Sequence, residues 1–138
     1  MNFFNTMATR YSKIIRFGII GVMAFFVDWL VLKFLVDRHT YFLVARLLSF
    51  LVAVSFTFTL NKYWTFREAA PAPILLQFLQ FLAANSVGGA VNYAVSSSVY
   101  FFFLEPGTRF LWLSLLMGTG AGFIFNFILS DRLVFRKR

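Results

Sequence analysis

Residues 14–36 read IIRFGIIGVMAFFVDWLVLKFLV, 23 positions in which only Arg16, Asp28 and Lys33 carry charge. An α-helix rises 1.5 Å per residue, so a stretch of this length crosses the ~30 Å hydrocarbon core of a bilayer. Arg10 and Lys13, with Arg16, give it the positive flank of a signal peptide. The apolar core of such a peptide runs only about 7 to 15 residues, however, and this longer one is expected to remain in the mature protein. Three further apolar segments follow at 41–61, 76–104 and 110–130. They are parted by Asp37-Arg38-His39-Thr40, by Glu68-Ala69-Ala70-Pro71-Ala72-Pro73 and by Glu105-Pro106-Gly107-Thr108. Proline ends a helix in the latter two, and connections this short make neighbouring helices antiparallel. A membrane β-barrel would need many alternating segments of about ten residues. The runs at 43–48, interrupted only by Arg46, and at 101–104 do not alternate. The expectation is one all-α integral membrane domain over residues 1–138, with four transmembrane helices.

The rest of the chain agrees with a lipid solvent. Of 138 residues 60% are hydrophobic and 13% charged, against about 25% charged in soluble domains. There is no Cys, which excludes disulfides, iron–sulfur clusters and thiolate zinc sites, and the single His39 cannot build a histidine metal site. No metal or cofactor is expected. A net charge of +8 would suggest nucleic acid in a soluble protein, so the placement of the cations decides. Arg10, Lys13, Arg16, Lys62, Arg67, Arg132, Arg136, Lys137 and Arg138 fall on one side of the four spans. Lys33, Arg38, Arg46 and Arg109 fall on the other. By the positive-inside rule both termini are expected in the cytoplasm, with Tyr11, Tyr63 and Trp64 as interfacial anchors and no role in nucleic-acid binding.

The chain also repeats. Aligning residues 16–31 with 80–95 pairs Phe17 with Phe81, Val27 with Val91, Asp28 with Asn92, Trp29 with Tyr93 and Val31 with Val95. Further on, Phe56, Phe58, Leu60, Phe66 and Arg67 match Phe125, Phe127, Leu129, Phe135 and Arg136, so that residues 61–67 parallel 130–136. Repeat 1 covers about 12–67 and repeat 2 about 76–136. Each has two spans, so the expected fold is two tandem helix hairpins of the same orientation, related by an axis along the membrane normal.

A charge at mid-membrane costs about 2.5 to 3.5 kcal/mol even on the translocon insertion scale, so each needs a partner or a purpose. Counting back from the outer helix ends places Lys33 and Arg46 about 5 to 8 Å deep and Asp28 about 12 Å deep. Asp28 and Lys33 are five apart and poorly aligned on one helix face, whereas Arg46 on the returning helix can reach Asp28. An Asp28–Arg46 pair is expected. The plainer alternative is that Lys33 and Arg46 snorkel to the surface while Asp28 clamps the helix. The third span places Asn85, Gly89, Asn92 and Ser96 on one stripe, the fourth Ser114, Gly118, Gly122, Asn126 and Ser130, and the second Arg46, Ser49, Ala53, Thr57 and Asn61. Small residues at such spacing let helices approach closely, and packing accounts for the glycines. For Asn85, Asn92 and Asn126 both packing and a polar path remain open.

No nucleophile–His–acid set, no carboxylate pair with separate roles and no phosphate loop beside a lysine can be assembled. The string Gly118-Thr119-Gly120-Ala121-Gly122 looks like a nucleotide loop but sits in an apolar span without the required strand. No enzymatic activity is expected.

Residues 16–21 (RFGIIG), Asp28, the segment Asn61-Lys62-Tyr63-Trp64-Thr65-Phe66-Arg67, the renewed Gln80-Phe81 and the closing Phe135-Arg136 together resemble the GtrA-like family over nearly the whole chain. The second repeat departs from the Asn-x-x-Trp-x-Phe pattern, with Ser130 and Leu133 where Asn61 and Trp64 stand, so roles given to those two stay in repeat 1. The resemblance implies a small protein of the bacterial-type inner membrane that translocates a polyprenyl-phosphate-linked sugar for cell-surface polysaccharide or glycan synthesis. Only the phosphate-sugar head of such a lipid needs a path, since its tail can stay in hydrocarbon. Under that reading Arg16, Lys62, Arg67, Arg132 and Arg136 collect the phosphate. Asn61 joins them, Asn85, Asn92 and Asn126 replace water around the sugar, Trp29 and Tyr93 stack on it, and Lys33 and Arg46 beside Asp28 receive the phosphate outside. For the cytoplasmic cations, orientation signalling is the plainer account. Two rivals stand beside it: a proton-coupled exporter of hydrophobic cations working through Asp28, and a non-transporting anchor for a glycosyltransferase. Partners expected are the lipid-linked sugar, membrane lipids, a glycosyltransferase in the anchor reading, and a second copy in a symmetric dimer, because four spans are few for enclosing a sugar.

Overall fold

The computed structural model describes residues 3–103 and 111–137, and among them every regular element is helical. The elements are α1 (Phe3–Asp37), α2 (Phe42–Leu60), α3 (Ile74–Phe103) and α4 (Leu111–Leu129). α2 runs on into a π-helical turn over Asn61–Thr65, and α4 into another over Ser130–Val134. The connection holding Glu105, Pro106, Gly107, Thr108 and Arg109 lies outside the described residues, as do the side chains of Ser96 and Ser114. Three helical stretches are long and apolar enough to cross a membrane: Phe4–Asp37, Phe42–Thr65 and Ile74–Phe103. α4 matches α2 at 19 residues.

The chain divides into two units, Met1–Ala69 with Lys137, and Ala70–Arg136 with Arg138. In the first, α1 packs on α2; in the second, α3 packs on α4. α1 begins eleven residues ahead of the expected span start at 14, and its 35 residues measure about 52 Å, well beyond a ~30 Å hydrocarbon core. The residues before Lys13 are polar or mixed and carry no apolar run; they are helical because they continue the backbone ladder of the span.

α1 stops where expected. Thr40 N–H bonds Leu35 O at 3.0 Å and His39 N–H bonds Val36 O at 2.9 Å, the paired bonds of a Schellman closure. His39 takes the left-handed position of that motif, φ 61°, where glycine is the usual occupant. The chain then reverses into α2.

α2 buries Ala45, Ser49, Ala53 and Thr57, and the stripe goes on through Asn61 and Thr65. A helix of 3.6 residues per turn overshoots by about 40° at every fourth residue, so a strict four-residue stripe winds away from its partner. The wider π-helical turn, closed by Phe66 N–H to Asn61 O at 2.8 Å, takes up that drift. Phe66 is thereby set against Phe17 of α1, ring centroids 6.2 Å apart and edge to face. The second unit repeats the device: Phe135 N–H bonds Ser130 O at 2.8 Å, and Phe135 lies 5.8 Å from Phe81. These are the residues that the two repeats share.

Gln77, Phe81, Ala84, Gly88 and Val99 form the buried stripe of α3. The sequence stripe places Gly89 at the contact; the structure places Gly88 there, against the Asn126 side chain, while Gly89 has open space. A Cβ on Gly122 would stand 2.6 Å from the carbonyl oxygen of Gly88 and 2.9 Å from Asn92 Cβ. The helices meet backbone to backbone at this point, the small-residue contact expected of the glycines. Gly122→Ala is therefore expected to cost about 1 to 3 kcal/mol, because the obstructing atom is backbone. Gly120→Ala, which meets nothing within 4 Å, is expected to stay within about 0.5 kcal/mol. Unfolding titrations in mixed detergent check the pair, and equal effects would contradict the backbone contact.

Candidate functional site

The deepest charge in the first hairpin is Asp28, and the antiparallel return of α2 brings Arg46 to it. Arg46 Nη1 donates to Asp28 Oδ2 at 2.6 Å, so the expected pair forms. Helix phase explains why: Arg46 stands three residues before Ser49 and next to Ala45, at the edge of the buried stripe of Ala45, Ser49, Ala53 and Thr57. The partners differ in access. Arg46 keeps 48% of its side-chain surface exposed and Asp28 only 22%, and Asp28 Oδ1 is buried without a partner. One carboxylate oxygen thus holds the cation, and the other retains unused acceptor capacity.

Lys33 does not join this pair. It donates to Asp37 one turn onward at 2.8 Å, with both side chains exposed. The five-residue offset from Asp28 turns Lys33 off the hairpin face, while the four-residue offset to Asp37 aligns the two ions. Trp29, beside Asp28, is 52% exposed, and its repeat partner Tyr93 is 76% exposed.

Along α2, Asn61 lies fifteen positions from Arg46, about 22 Å of helix, and belongs to the other end. It is fully buried, and neither its Oδ1 nor its Nδ2 has a partner. Arg16 of α1 reaches this end, donating Nη1 to Trp64 O at 3.2 Å with its guanidinium 5.7 Å from the Trp64 ring. It serves a carbonyl that the helix end leaves open, and its charge suits the negative end of the helix dipole. Lys62 is half-buried in the π-helical turn, and Arg67 is exposed just beyond it.

The second hairpin holds amides where the first holds charges. Asn92 of α3 flanks the Gly122 contact, and Asn126 of α4 lies on Gly88 with Oδ1 buried and without a partner. These two therefore gather at one crossing. Asn85 stays apart, its Nδ2 donating to Phe81 O of its own helix at 2.9 Å. Arg132 and Arg136 are exposed at and beyond the π-helical turn, and the Arg136 carbonyl accepts from Ala70 N–H at 2.9 Å.

Two contributors escaped the sequence reading. Gly88 could have been found by counting seven residues on from Phe81, a position fixed by the repeat, instead of four from Asn85. Thr65 is 2% exposed with its hydroxyl unpartnered, and only the wider turn places it on the buried stripe. No local sequence signal marks that turn.

A family model described as GtrA/DPMS, transmembrane domain, matches residues 16–135, from Arg16 to Phe135 across both hairpins. Among curated proteins no sequence matches this chain.

The Asp28–Arg46 contact generates a double-mutant cycle. Arg46→Gln leaves a carboxylate without its cation and is expected to destabilise the protein more than Asp28→Asn combined with Arg46→Gln does. The coupling energy expected is about 0.5 to 3 kcal/mol. Detergent unfolding of the four proteins measures it, and additive effects would show the bond to be idle.

Proposed function

The chain belongs to the GtrA/DPMS transmembrane-domain family, and from that membership we propose that it moves the head group of a polyprenyl-phosphate-linked sugar across a bacterial-type inner membrane, without chemistry of its own. Its topology in this reading has both hairpins entering from the cytoplasm and both termini there, as the nine-to-four division of cations favours. The sugar lipid would serve cell-surface glycan synthesis, a glycosyltransferase would act on it after delivery, and a second copy of the chain would complete the enclosure of the head.

The Asp28–Arg46 pair is the observation that carries the proposal. A guanidinium presents a planar fork of donors that fits a phosphate as well as a carboxylate. Arg46 is accessible, and the carboxylate that holds it is the more buried partner. An arriving phosphate can thus take Arg46 from Asp28 by exchange, so the cation is never without a counter-charge. The displaced Asp28 is then a half-buried carboxylate lacking its partner, which is costly and draws Arg46 back when the head leaves. This gives a site that binds and also lets go.

The amides at the α3–α4 crossing supply the complementary chemistry. Sugar hydroxyls leaving water require donors and acceptors, and Asn92 and Asn126 each offer both. Asn126 Oδ1 has no partner within the protein, so one acceptor there is uncommitted. In this reading each hairpin has its own cations for first contact with an anionic head, Arg16, Lys62 and Arg67 in the first and Arg132 and Arg136 in the second.

Reconstitution tests the reading. Liposomes carrying the purified protein are expected to expose a polyprenyl-phosphate sugar to the opposite leaflet, scored by head-group accessibility to an impermeant reagent. Arg46→Ala is expected to slow transfer about tenfold or more, since one charge-assisted contact is worth about 1.5 to 3 kcal/mol. Transfer unchanged in both Arg46→Ala and Asp28→Ala would remove the exchange site, and no transfer by the wild type would remove the function.

A further inference from the structure

The eleven residues by which α1 precedes its expected span build something. Within the first unit, Ala8, Thr9, Ser12 and Lys13 among them wall a cavity of about 320 Å³. Ser12, Lys13 and Arg16 line it from α1, and Thr65, Arg67 and Glu68 from the chain leaving the π-helical turn. Three of these six side chains are cationic and two carry hydroxyls. Glu68 is the one acid among them, and it is already engaged: Lys137 donates to its carboxylate and holds its carboxyl below the ordinary carboxylate range. The surroundings are thus cationic overall. In the wall, Thr65 is nine-tenths buried and more, with a hydroxyl that has no partner in the protein. A buried hydroxyl without a partner is costly unless something supplies the missing bond.

The second hairpin shows what the fold alone requires. It keeps the π-helical turn and the ring contact, with Phe81 on Phe135 where the first hairpin has Phe17 on Phe66. At the positions matching Ser12, Lys13, Arg16 and Thr65, however, it carries Leu76, Gln77, Gln80 and Val134. Gln77 is buried there and simply donates to Val134 O at 3.3 Å. At these four positions the second hairpin therefore closes without lysine, arginine or hydroxyl, while Arg136 keeps the place of Arg67. Orientation signalling asks only for cations near the interface. It gives no reason for two hydroxyls and a cavity in their midst.

We propose that this cavity is a built site for a lipid phosphate, with Lys13, Arg16 and Arg67 neutralising the phosphate oxygens and Ser12 and Thr65 donating hydrogen bonds to them. The proposal rests on the transport reading for its choice of lipid, a polyprenyl phosphate, and it locates the step before crossing. A phosphate offers several acceptor oxygens and up to two negative charges, which matches a ring of cations and hydroxyl donors. The cavity lies at the basic end of α1 and α2, whereas Asp28 and Arg46 lie farther along the same hairpin. The head group would thus be held twice, first by three cations and later by the exchangeable one.

The second hairpin also dictates the test. The full-length protein in phosphatidylcholine nanodiscs is titrated with a short-chain polyprenyl monophosphate, and with the matching polyprenol. A quadruple variant, Ser12→Leu, Lys13→Gln, Arg16→Gln and Thr65→Val, transplants residues that this fold already accommodates. It is expected to weaken polyprenyl monophosphate binding about tenfold or more. Thr65→Val alone, which changes no charge and little volume, is expected to weaken it about threefold. Arg10→Gln, a cation removed outside the cavity, is expected to leave it unchanged. Competition by phosphatidylglycerol or by inorganic phosphate identifies the source of the phosphate group, a general anionic lipid or the free ion, within the same site. Equal binding of polyprenol, undiminished binding by the quadruple variant, or an Arg10→Gln effect as large as that variant's would overturn the proposal. The transport reading fails separately: wild-type liposomes that transfer no sugar, alongside phosphate binding lost in the quadruple variant, leave the cavity standing and the translocation not.

Discussion

Hydrocarbon offers no hydrogen bonds, so every backbone N–H and C=O in a span must be met within the protein. That obligation explains the helices, and it also explains how they end. α2 and α4 do not fray at the interface; each widens into a π-helical turn whose last N–H returns to the carbonyl five residues back. The turn spends no backbone donor on water, and it swings the next residue, Phe66 or Phe135, inward against the facing helix. One further carbonyl in each hairpin is served by a side chain from the facing helix. Arg16 donates to Trp64 O in one hairpin and Gln77 to Val134 O in the other. One constraint of the solvent thus accounts for the turn, the buried ring and the residue opposite.

What the sequence revealed of this arrangement followed from signals with long range. Apolar runs of twenty or more residues, the duplication, and the small and polar face of α2 beside which Arg46 stands each sum over many positions, so the hairpins and the Asp28–Arg46 bond were legible. Details decided by a single residue were not. Whether Gly88 or Gly89 meets α4 depends on one step of helical phase, and the doublet offered no choice. Lys33 has Asp28 at five residues and Asp37 at four; both are acids within reach in sequence, and only helix geometry selects the second. The start of α1 at Phe3 was hidden because residues ahead of Lys13 lack the apolar pattern, and helix continuation there is inherited from the span.

The two repeats share shape and differ in chemistry. Phenylalanine pairs and π-helical turns recur, while Asp28 becomes Asn92 and Lys13 becomes Gln77. Duplication lets one copy vary while the other keeps the fold, and the residues that differ are then the ones to suspect of a task. By that criterion the first hairpin is the ionic one and the second the amide one.

Charge also has to be released, and here burial matters more than number. A cation buried in a tight ion pair would hold a phosphate no better than it holds its carboxylate, because both face the same desolvation. Arg46 is the more exposed member of its pair and Asp28 the more buried. The accessible partner is therefore the cation, on a long side chain, and the sheltered partner is the carboxylate, whose Oδ1 has no hydrogen bond. A bond built in this way leaves the cation open to a competing anion, while the cost of an unpaired, half-buried carboxylate favours its return.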